Sequence, residues 1–203
     1  METIIIKLFF IGLIVLFLIG MFIPMVLVKK KGKDPHGTHE GSSILTRLGS
    51  ISIFMWLFYI ILYIIIDDLI ISIWLINVLM NDFFIILGFI LIVFGFVFEI
   101  LGIKELGMNF RIEFPKEDTE LITNGIYRLM RNPIVFGIYL LLLGSFFVLP
   151  TIISIFLLII NVITFNSKAK DEEKFLSSRF GEEYENYRQK VGRYLPFSLK
   201  KQK

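Results

Sequence analysis

Long apolar stretches alternate with short polar segments along the chain, and this pattern predicts helices that cross a membrane. Leu8–Val28, Leu48–Ile66 and Phe83–Ile103 are each long enough to span a hydrocarbon core of roughly 30 Å. Pro133–Phe165 is too long for one span, and Pro150 near its middle predicts two antiparallel helices that turn there. We therefore predict an all-α integral membrane protein with about five transmembrane helices, two of which form a hairpin.

The distribution of charge predicts how these helices are oriented. The loop Lys29–Arg47 is rich in basic residues and is expected on the cytoplasmic side, which puts the N-terminus outside and the C-terminus in the cytoplasm. Lys29–Lys31 resembles a stop-transfer signal, which favours a first span over a cleaved signal peptide. The short stretch Leu69–Leu79 is interpreted as interfacial or re-entrant, because counting it as a crossing would place Lys104 and Arg111 outside.

The composition changes this picture little but excludes several chemistries. Hydrophobic residues make up 56% of the 203 residues, the mean hydropathy is +0.77 and the net charge is +3. We expect membrane lipids and no nucleic acid as partners. The chain has no cysteine, which excludes disulfides, thiolate catalysis and Cys-held clusters. The abundance of Ile, Phe and Lys suggests a prokaryotic cell membrane.

Two polar features lie outside the motifs described below. Asp34, His36, His39 and Glu40 have a spacing that metal ligands can have, but no further ligand follows in a recognisable pattern, so we predict a solvated loop and no metal site. Glu99 lies inside the third predicted span, where an acid is either functional or a structural group that reaches the interface or pairs locally. Both interpretations stay open, and a Glu99 facing a pocket would favour a cationic or amine substrate.

Leu121–Gly137, with the sequence LITNGIYRLMRNPIVFG, joins a polar segment to an apolar helix. Asn124 and Gly125 predict a turn, and Pro133 suits the first turn of a helix. Arginines before that helix then lie at the membrane surface, beside backbone N–H groups that favour anions. A hairpin would bring them to the acids at 171–173. The convergent residues would be Arg128, Arg131, Asn132, Glu172, Glu173, Tyr184, Tyr187, Arg188 and Arg193; the alternative is that these arginines merely pair with interfacial acids.

The polar tail predicts one more helix. Phe180, Tyr184, Tyr187 and Val191 recur at helical spacing with charges between them, which is typical of an amphipathic helix lying on the cytoplasmic face. Gly181 is expected to separate it from the last span. The basic end at 200–203 would favour anionic lipid.

The segment from Leu101 to Phe197 resembles the isoprenylcysteine carboxyl methyltransferase family and the related phospholipid methyltransferases. The first part of the shared pattern is matched by Leu121, Ile122, Thr123, Gly125, Tyr127, Arg131, Pro133 and Gly137. The second part, after a gap of hairpin length, is matched by Glu172, Glu173, Phe180, Gly181, Tyr184, Tyr187, Val191, Arg193 and Pro196. The chain departs from the pattern at Asn132, where the family has His, and at Val135, where it has Tyr. Asn132 cannot titrate near neutrality, so any proton-transfer role of that histidine is lost or moved.

This resemblance implies a membrane methyltransferase that uses S-adenosylmethionine without a Rossmann domain. The chain would form a single membrane domain, with N-terminal spans in residues 1–100 and the cofactor-binding core in 101–197. The acceptor would be lipid-like or a small apolar molecule that offers a carboxylate, thiol or amine. The implied catalytic residues are Arg131, Asn132 and Glu173, and the implied cofactor-binding residues are Tyr127, Arg131, Asn132, Glu172, Glu173, Tyr184 and Arg188. Two other functions stay open: a sterol-reductase-like oxidoreductase and a non-catalytic membrane scaffold.

Overall fold

A computed structural model describes residues 2–36, 42–66, 76, 79, 81–111 and 120–194, and in this part of the chain all regular elements are helices. The α-helices are α1 (Glu2–Lys30), α2 (Ile44–Ile65), α3 (Asp82–Leu106), α4 (Pro133–Val148), α5 (Ile152–Phe180) and α6 (Glu182–Lys190). Two short 3₁₀ helices, Gly107–Asn109 and Gly125–Arg128, lie in the connections. The predicted all-α membrane fold is confirmed.

Four helices, α1, α2, α3 and α5, are long and apolar enough to cross a membrane, and α4 is a shorter apolar helix of 16 residues. The predicted hairpin is confirmed, because α4 ends at Val148 and α5 begins at Ile152. Thr151 begins α5 with a capping box: its hydroxyl accepts from the Ser154 N–H at 3.0 Å, and the Ser154 hydroxyl accepts from the Thr151 N–H at 2.9 Å. The apolar segment at 69–79 falls almost wholly outside the described residues, as do His39, Glu40 and the basic end.

A row of glycines lets α3 and α4 approach each other very closely. Gly88, Gly95 and Gly102 recur every seventh residue on α3, and they face Gly144, Gly137 and the start of α4. The contacts run in opposite directions along the two helices, so α3 and α4 are antiparallel. A Cβ added at Gly95 would lie 2.8 Å from the Gly137 carbonyl oxygen. Small residues of this kind let helix backbones pack closely in a bilayer. Burial of larger apolar side chains does not drive this association, because lipid is as apolar as the helix interface.

Buried hydrogen bonds join α2 to α5 instead. The Ser52 hydroxyl donates to Asn161 Oδ1 at 2.9 Å, and Asn161 Nδ2 donates to the Ser52 carbonyl at 3.2 Å. Near the start of α2, Asp171 Oδ2 accepts from the Thr46 hydroxyl at 2.7 Å and from the Ser43 N–H at 2.8 Å. All four side chains are buried or partly buried. These bonds fix the position of α5 along α2, and so the position of the acids that follow Asp171.

Helix α1 packs through one aromatic face. Phe10 and Leu13 are buried, and the rings of Phe17 and Trp56 meet edge to face with centroids 6.0 Å apart. Much of the opposite face of α1 is apolar and exposed, as a lipid-facing surface would be. Phe17 and Met21 of α1 also form part of the wall of the cavity described next.

Candidate functional site

A cavity of about 570 Å³ lies where α1 ends and α2 begins, between these helices and the ends of α3, α4, α5 and α6. Its polar wall contains six residues of the predicted cluster, together with Tyr127, which was expected to bind the cofactor: the six are Arg131, Asn132, Glu172, Glu173, Tyr184 and Tyr187. Its apolar wall comes from the membrane-spanning helices and includes Phe17, Met21, Ile53, Leu57, Ile138 and Phe165. One space therefore joins a charged surface to the apolar interior of the bundle.

The turn before α4 is held against its neighbours on two sides. Gly125 has φ +53°, a conformation that other L residues rarely adopt, and a Cβ there would collide with the side chain of Glu105. The Tyr127 hydroxyl points to the Gly102 carbonyl at 3.5 Å, and the Tyr187 hydroxyl donates to the Tyr127 carbonyl at 2.6 Å. The predicted turn at Asn124 and Gly125 is present, and it ties the end of α3 to α6.

The tail returns along the segment that begins α4. The Arg131 N–H donates to the Gly192 carbonyl at 3.0 Å, and the Asn132 N–H donates to the Arg193 carbonyl at 3.1 Å. Pro133 occupies the first turn of α4, as predicted, where its missing N–H costs no hydrogen bond. The tail therefore acts as a backbone brace for two of the candidate site residues.

Glu173 forms the centre of the charged cluster. Arg193 donates to both of its oxygens, from Nε to Oε1 at 2.8 Å and from Nη2 to Oε2 at 2.6 Å. Arg131 Nη1 lies 3.1 Å from Oε1 and also donates to the Tyr184 hydroxyl at 3.3 Å. The side chains of Glu173 and Arg131 are only 9% and 10% exposed. One buried carboxylate thus orients two guanidinium groups, in the fork geometry that arginine favours.

Arg131 has one buried donor to spare. Its Nε has no hydrogen-bond partner among the described residues. A buried, unpartnered donor of a charged group is costly, and such atoms in native structures usually meet a ligand or water. Nε is inaccessible to solvent, so it does not open onto the cavity.

The tyrosines around this cluster stay neutral over the usual pH range. Burial, with the charge of Glu173 adding to it, raises the pKa of Tyr184 to about 12. Burial likewise raises the pKa values of Tyr127 and Tyr187. Hydrogen bonding to Glu173 raises the pKa of Arg193 further above its already high value. The cluster therefore keeps its hydroxyl donors and its cations under all ordinary conditions.

Glu99 lines the same cavity, and its residue is 8% exposed. It does not extend to the surface, and no ion pair or hydrogen bond joins it to another described side chain. Gly137 makes room for it: a Cβ there would lie 2.9 Å from Glu99 Cγ. The structural interpretation of Glu99, in which it reaches the interface or pairs locally, disagrees with this environment, and its functional role stays a prediction.

Three arginines of the predicted cluster lie elsewhere. Arg188, expected to bind the cofactor, is on α6 but outside the cavity lining, where its Nη2 pairs with Glu185 Oε2 at 3.2 Å. Arg128 is exposed and also outside the lining. Arg193 contributes through Glu173 rather than by lining the cavity. His36 and Val135 line the cavity as well. The residues of α1 and α2 that form its apolar wall were not predicted, because no motif in the sequence marks them.

Comparisons with known proteins match the part of the chain that forms much of this site. The family model for phospholipid methyltransferases matches residues 83–183. A probable protein-S-isoprenylcysteine O-methyltransferase of Oryza sativa subsp. indica is 36% identical over 115 residues, which cover 54% of this chain and 60% of the relative. Over about half of its length, the chain is therefore similar to phospholipid methyltransferases and to protein-S-isoprenylcysteine O-methyltransferases.

Two other protein-S-isoprenylcysteine O-methyltransferases are similar to this chain. The one from Dictyostelium discoideum is 31% identical over 113 residues, covering 54% of this chain and 48% of the relative. The one from Schizosaccharomyces pombe is 36% identical over 81 residues, covering 39% and 34%. The chain spans between about a third and 60% of the length of these relatives. Both departures from the family pattern, Asn132 and Val135, line the cavity.

Proposed function

We propose that this protein is a membrane methyltransferase that moves a methyl group from S-adenosylmethionine to a lipid-like or small apolar acceptor. The observation that carries the proposal is the single cavity with a charged wall at one end and an apolar wall at the other. A polar, water-borne donor suits the first wall, and an acceptor arriving from the bilayer suits the second. The similarity to known methyltransferases over about half of the chain supports the same activity.

The residues of the charged wall suit the groups that S-adenosylmethionine carries. Arg131, whose side chain lines the cavity and is 10% exposed, would bind the methionine carboxylate through its guanidinium group. Glu172, which lines the cavity beside Glu173, would accept hydrogen bonds from the ribose hydroxyls or the amino group. Glu173 already accepts from two arginines, so its main part would be to hold Arg131 in place. Asn132 and Tyr184 would shape the pocket around these contacts.

The cofactor supplies a methyl group on a positively charged sulfur, which an acceptor attacks in line. The protein is then asked mainly for alignment and for exclusion of water. Alignment comes from the tail, whose backbone fixes Arg131 and Asn132. Water is kept out by the buried side chains of Tyr127 and Tyr184, which are 7% and 1% exposed.

Location and orientation belong to the proposal as well. The apolar helices make this a multi-pass membrane protein. The basic residues after α1 favour a cytoplasmic face for the cavity, where S-adenosylmethionine is made, with the N-terminus outside. On composition, we propose a prokaryotic cell membrane.

The test is calorimetric binding of S-adenosylmethionine and S-adenosylhomocysteine to the detergent-purified chain. Arg131→Lys keeps a cation beside Glu173 but removes the planar guanidinium group, so affinity should fall at least about tenfold. Arg128→Lys, an exposed neighbour outside the lining, is the matched control and should bind as the wild type does. Glu173→Ala is a poorer choice, because it would strand two arginines without their partner.

Three results would count against the proposal. Absence of binding by a folded wild-type chain would remove the methyltransferase function and leave the reductase-like and scaffold hypotheses. Equal affinity of Arg131→Lys and wild type would remove Arg131 from the site. An equal loss in Arg128→Lys would show that general surface charge, rather than the cavity, governs binding.

A further inference from the structure

We propose that Glu99 recognises the positive charge on the sulfur of S-adenosylmethionine, so that the cavity distinguishes the methyl donor from S-adenosylhomocysteine, whose sulfur is neutral. This inference rests on the methyltransferase function proposed above and assigns a residue of α3 to the same cavity. Glu99 is 8% exposed, lines the cavity and has no ion-pair or hydrogen-bond partner among the described residues. A carboxylate buried without a partner is retained at a cost, which a cationic ligand would offset.

The protein's own cations do not balance this acid. The side chains of the cavity lining that can carry a positive charge are His36, Arg111, Arg131 and Lys168. Arg131 pairs with Glu173 at 3.1 Å, and Arg111 donates to two backbone carbonyls at 2.9 and 2.7 Å. Lys168 also has an interaction of its own, and His36 is exposed to solvent. A charge that balances the buried acid on α3 would therefore come from a ligand in the cavity.

Glu99 lies within reach of a cofactor that is held by Arg131. Gly137 lies directly against Glu99, since a Cβ there would be 2.9 Å from Glu99 Cγ and 3.0 Å from its backbone nitrogen. From Pro133, which begins α4, to Gly137 the helix rises by about 6 Å. In S-adenosylmethionine the sulfur lies about 5 Å from the carboxylate carbon when the chain between them is extended. A cofactor whose carboxylate is bound by Arg131 is therefore long enough to bring its sulfur to Glu99.

The surroundings of Glu99 make the charge on sulfur count. Val135 and Ile138, from the same part of α4, line the cavity and belong to its apolar side, so water screens the carboxylate little. In methyl transfer the acceptor's electron pair forms the new bond to carbon, and the electron pair of the C–S bond stays on sulfur, which becomes neutral.

The attraction to Glu99 is therefore present with the donor and absent with the product. Because the charge on sulfur already declines in the transition state, Glu99 would favour binding of the donor over the product without accelerating the transfer. Its role in this proposal is to select between two ligands of almost the same shape.

The experiment compares ligands that share the adenosine and amino-acid parts and differ in charge at one position. They are S-adenosylmethionine, the neutral-sulfur S-adenosylhomocysteine, and sinefungin, in which a carbon that bears an ammonium group replaces the sulfur. Each is titrated by calorimetry onto the full chain in detergent. The proteins are the wild type, Glu99→Gln and, as a matched control, Asp82→Asn, which loses the same charge from the first turn of the same helix, outside the cavity lining.

The measured quantity is the affinity for each cationic ligand divided by the affinity for S-adenosylhomocysteine. In Glu99→Gln both ratios should fall at least about tenfold from their wild-type values, whereas Asp82→Asn should leave them unchanged. Unchanged ratios in Glu99→Gln would overturn the inference, and so would an equal loss of affinity for all three ligands, which would make Glu99 a determinant of cavity shape. If Glu99→Gln does not fold, Glu99→Met, which also removes the charge at similar length, takes its place. A folded wild type that binds none of the ligands would instead contradict the proposed function, and this inference with it.

Discussion

Alanine in place of Gly144 should lower stability by forcing α3 and α4 apart at their closest approach. The new Cβ would lie 2.6 Å from the Gly88 carbonyl oxygen, 2.7 Å from Ile92 Cγ1 and 3.0 Å from the Ile92 nitrogen. Carbon atoms in favourable contact are about 3.5–4.0 Å apart, so the backbones must separate locally by several tenths of an ångström or more. Overpacking of this kind costs about 1–3 kcal/mol.

The assay is thermal unfolding in detergent, followed by intrinsic fluorescence. For a chain of this size, each kcal/mol corresponds to roughly 2–4 °C in Tm, so Gly144→Ala should unfold several degrees below the wild type. Gly12→Ala is the matched control, because a Cβ on that α1 glycine would meet nothing within 4 Å. It should leave Tm unchanged or raise it slightly, since alanine is the better helix former.

Gly137→Ala separates packing from function. Its Cβ would meet the Gly95 carbonyl at 2.6 Å, the same distance as in the Gly144 contact, but would also press on Glu99. Both variants should lose similar stability, while Gly137→Ala alone should change the binding of a ligand in the cavity. Equal Tm values for Gly144→Ala and Gly12→Ala would refute the argument, because the two helices would then have room for a methyl group at this point.

Three further predictions concern buried polar groups that support the site. Asn161→Leu removes hydrogen bonds to Ser52 and should lower the free energy of unfolding by about 1–2 kcal/mol, as measured by thermal unfolding. A variant as stable as the wild type would contradict a stabilising role of these buried bonds. Tyr187→Phe releases the Tyr127 carbonyl and should weaken S-adenosylhomocysteine affinity severalfold by calorimetry, whereas an unchanged affinity would show that the turn needs no brace. Because burial raises the pKa of Tyr184 to about 12, the folded state holds a proton that the unfolded state loses near pH 10. Stability should therefore fall between about pH 10 and pH 12, less steeply in Tyr184→Phe, as thermal scans across this range would show.

Local residues were enough to predict the elements around the site. The turn at Asn124 and Gly125, the start of α4 at Pro133 and the end of α5 at Gly181 all depend on backbone preferences of one or two residues. The helix predicted after Gly181 is present as α6. Such preferences act within a few residues of the chain, so they can be recognised without knowing what packs where.

Contacts between distant segments were harder to predict. Arg188 and Arg193 both belonged to the predicted cluster, and Arg188 was expected to bind the cofactor. Because α6 ends at Lys190 and the chain then turns back, Arg193 reaches Glu173 and Arg188 does not. The apolar wall from α1 and α2 carries no signal, because in a bilayer one apolar side chain serves as well as another. The glycines of α3 and α4, by contrast, can be recognised in the sequence, because their seven-residue spacing indicates a continuous contact between helices.

The two ways in which the helices are joined explain how a charged site can be held precisely at a membrane surface. Glycine contacts set the distance between α3 and α4, and with it the place of Glu99 against Gly137. Hydrogen bonds set the position of α5 along α2, and Asp171, which takes part in them, is two residues from Glu173. Since packing fixes distance but permits sliding, whereas directional bonds resist sliding, each set supplies a constraint that the other lacks. Loss of the α2–α5 bonds should therefore shift Glu173 relative to Arg131, while loss of the glycine contacts should shift Glu99.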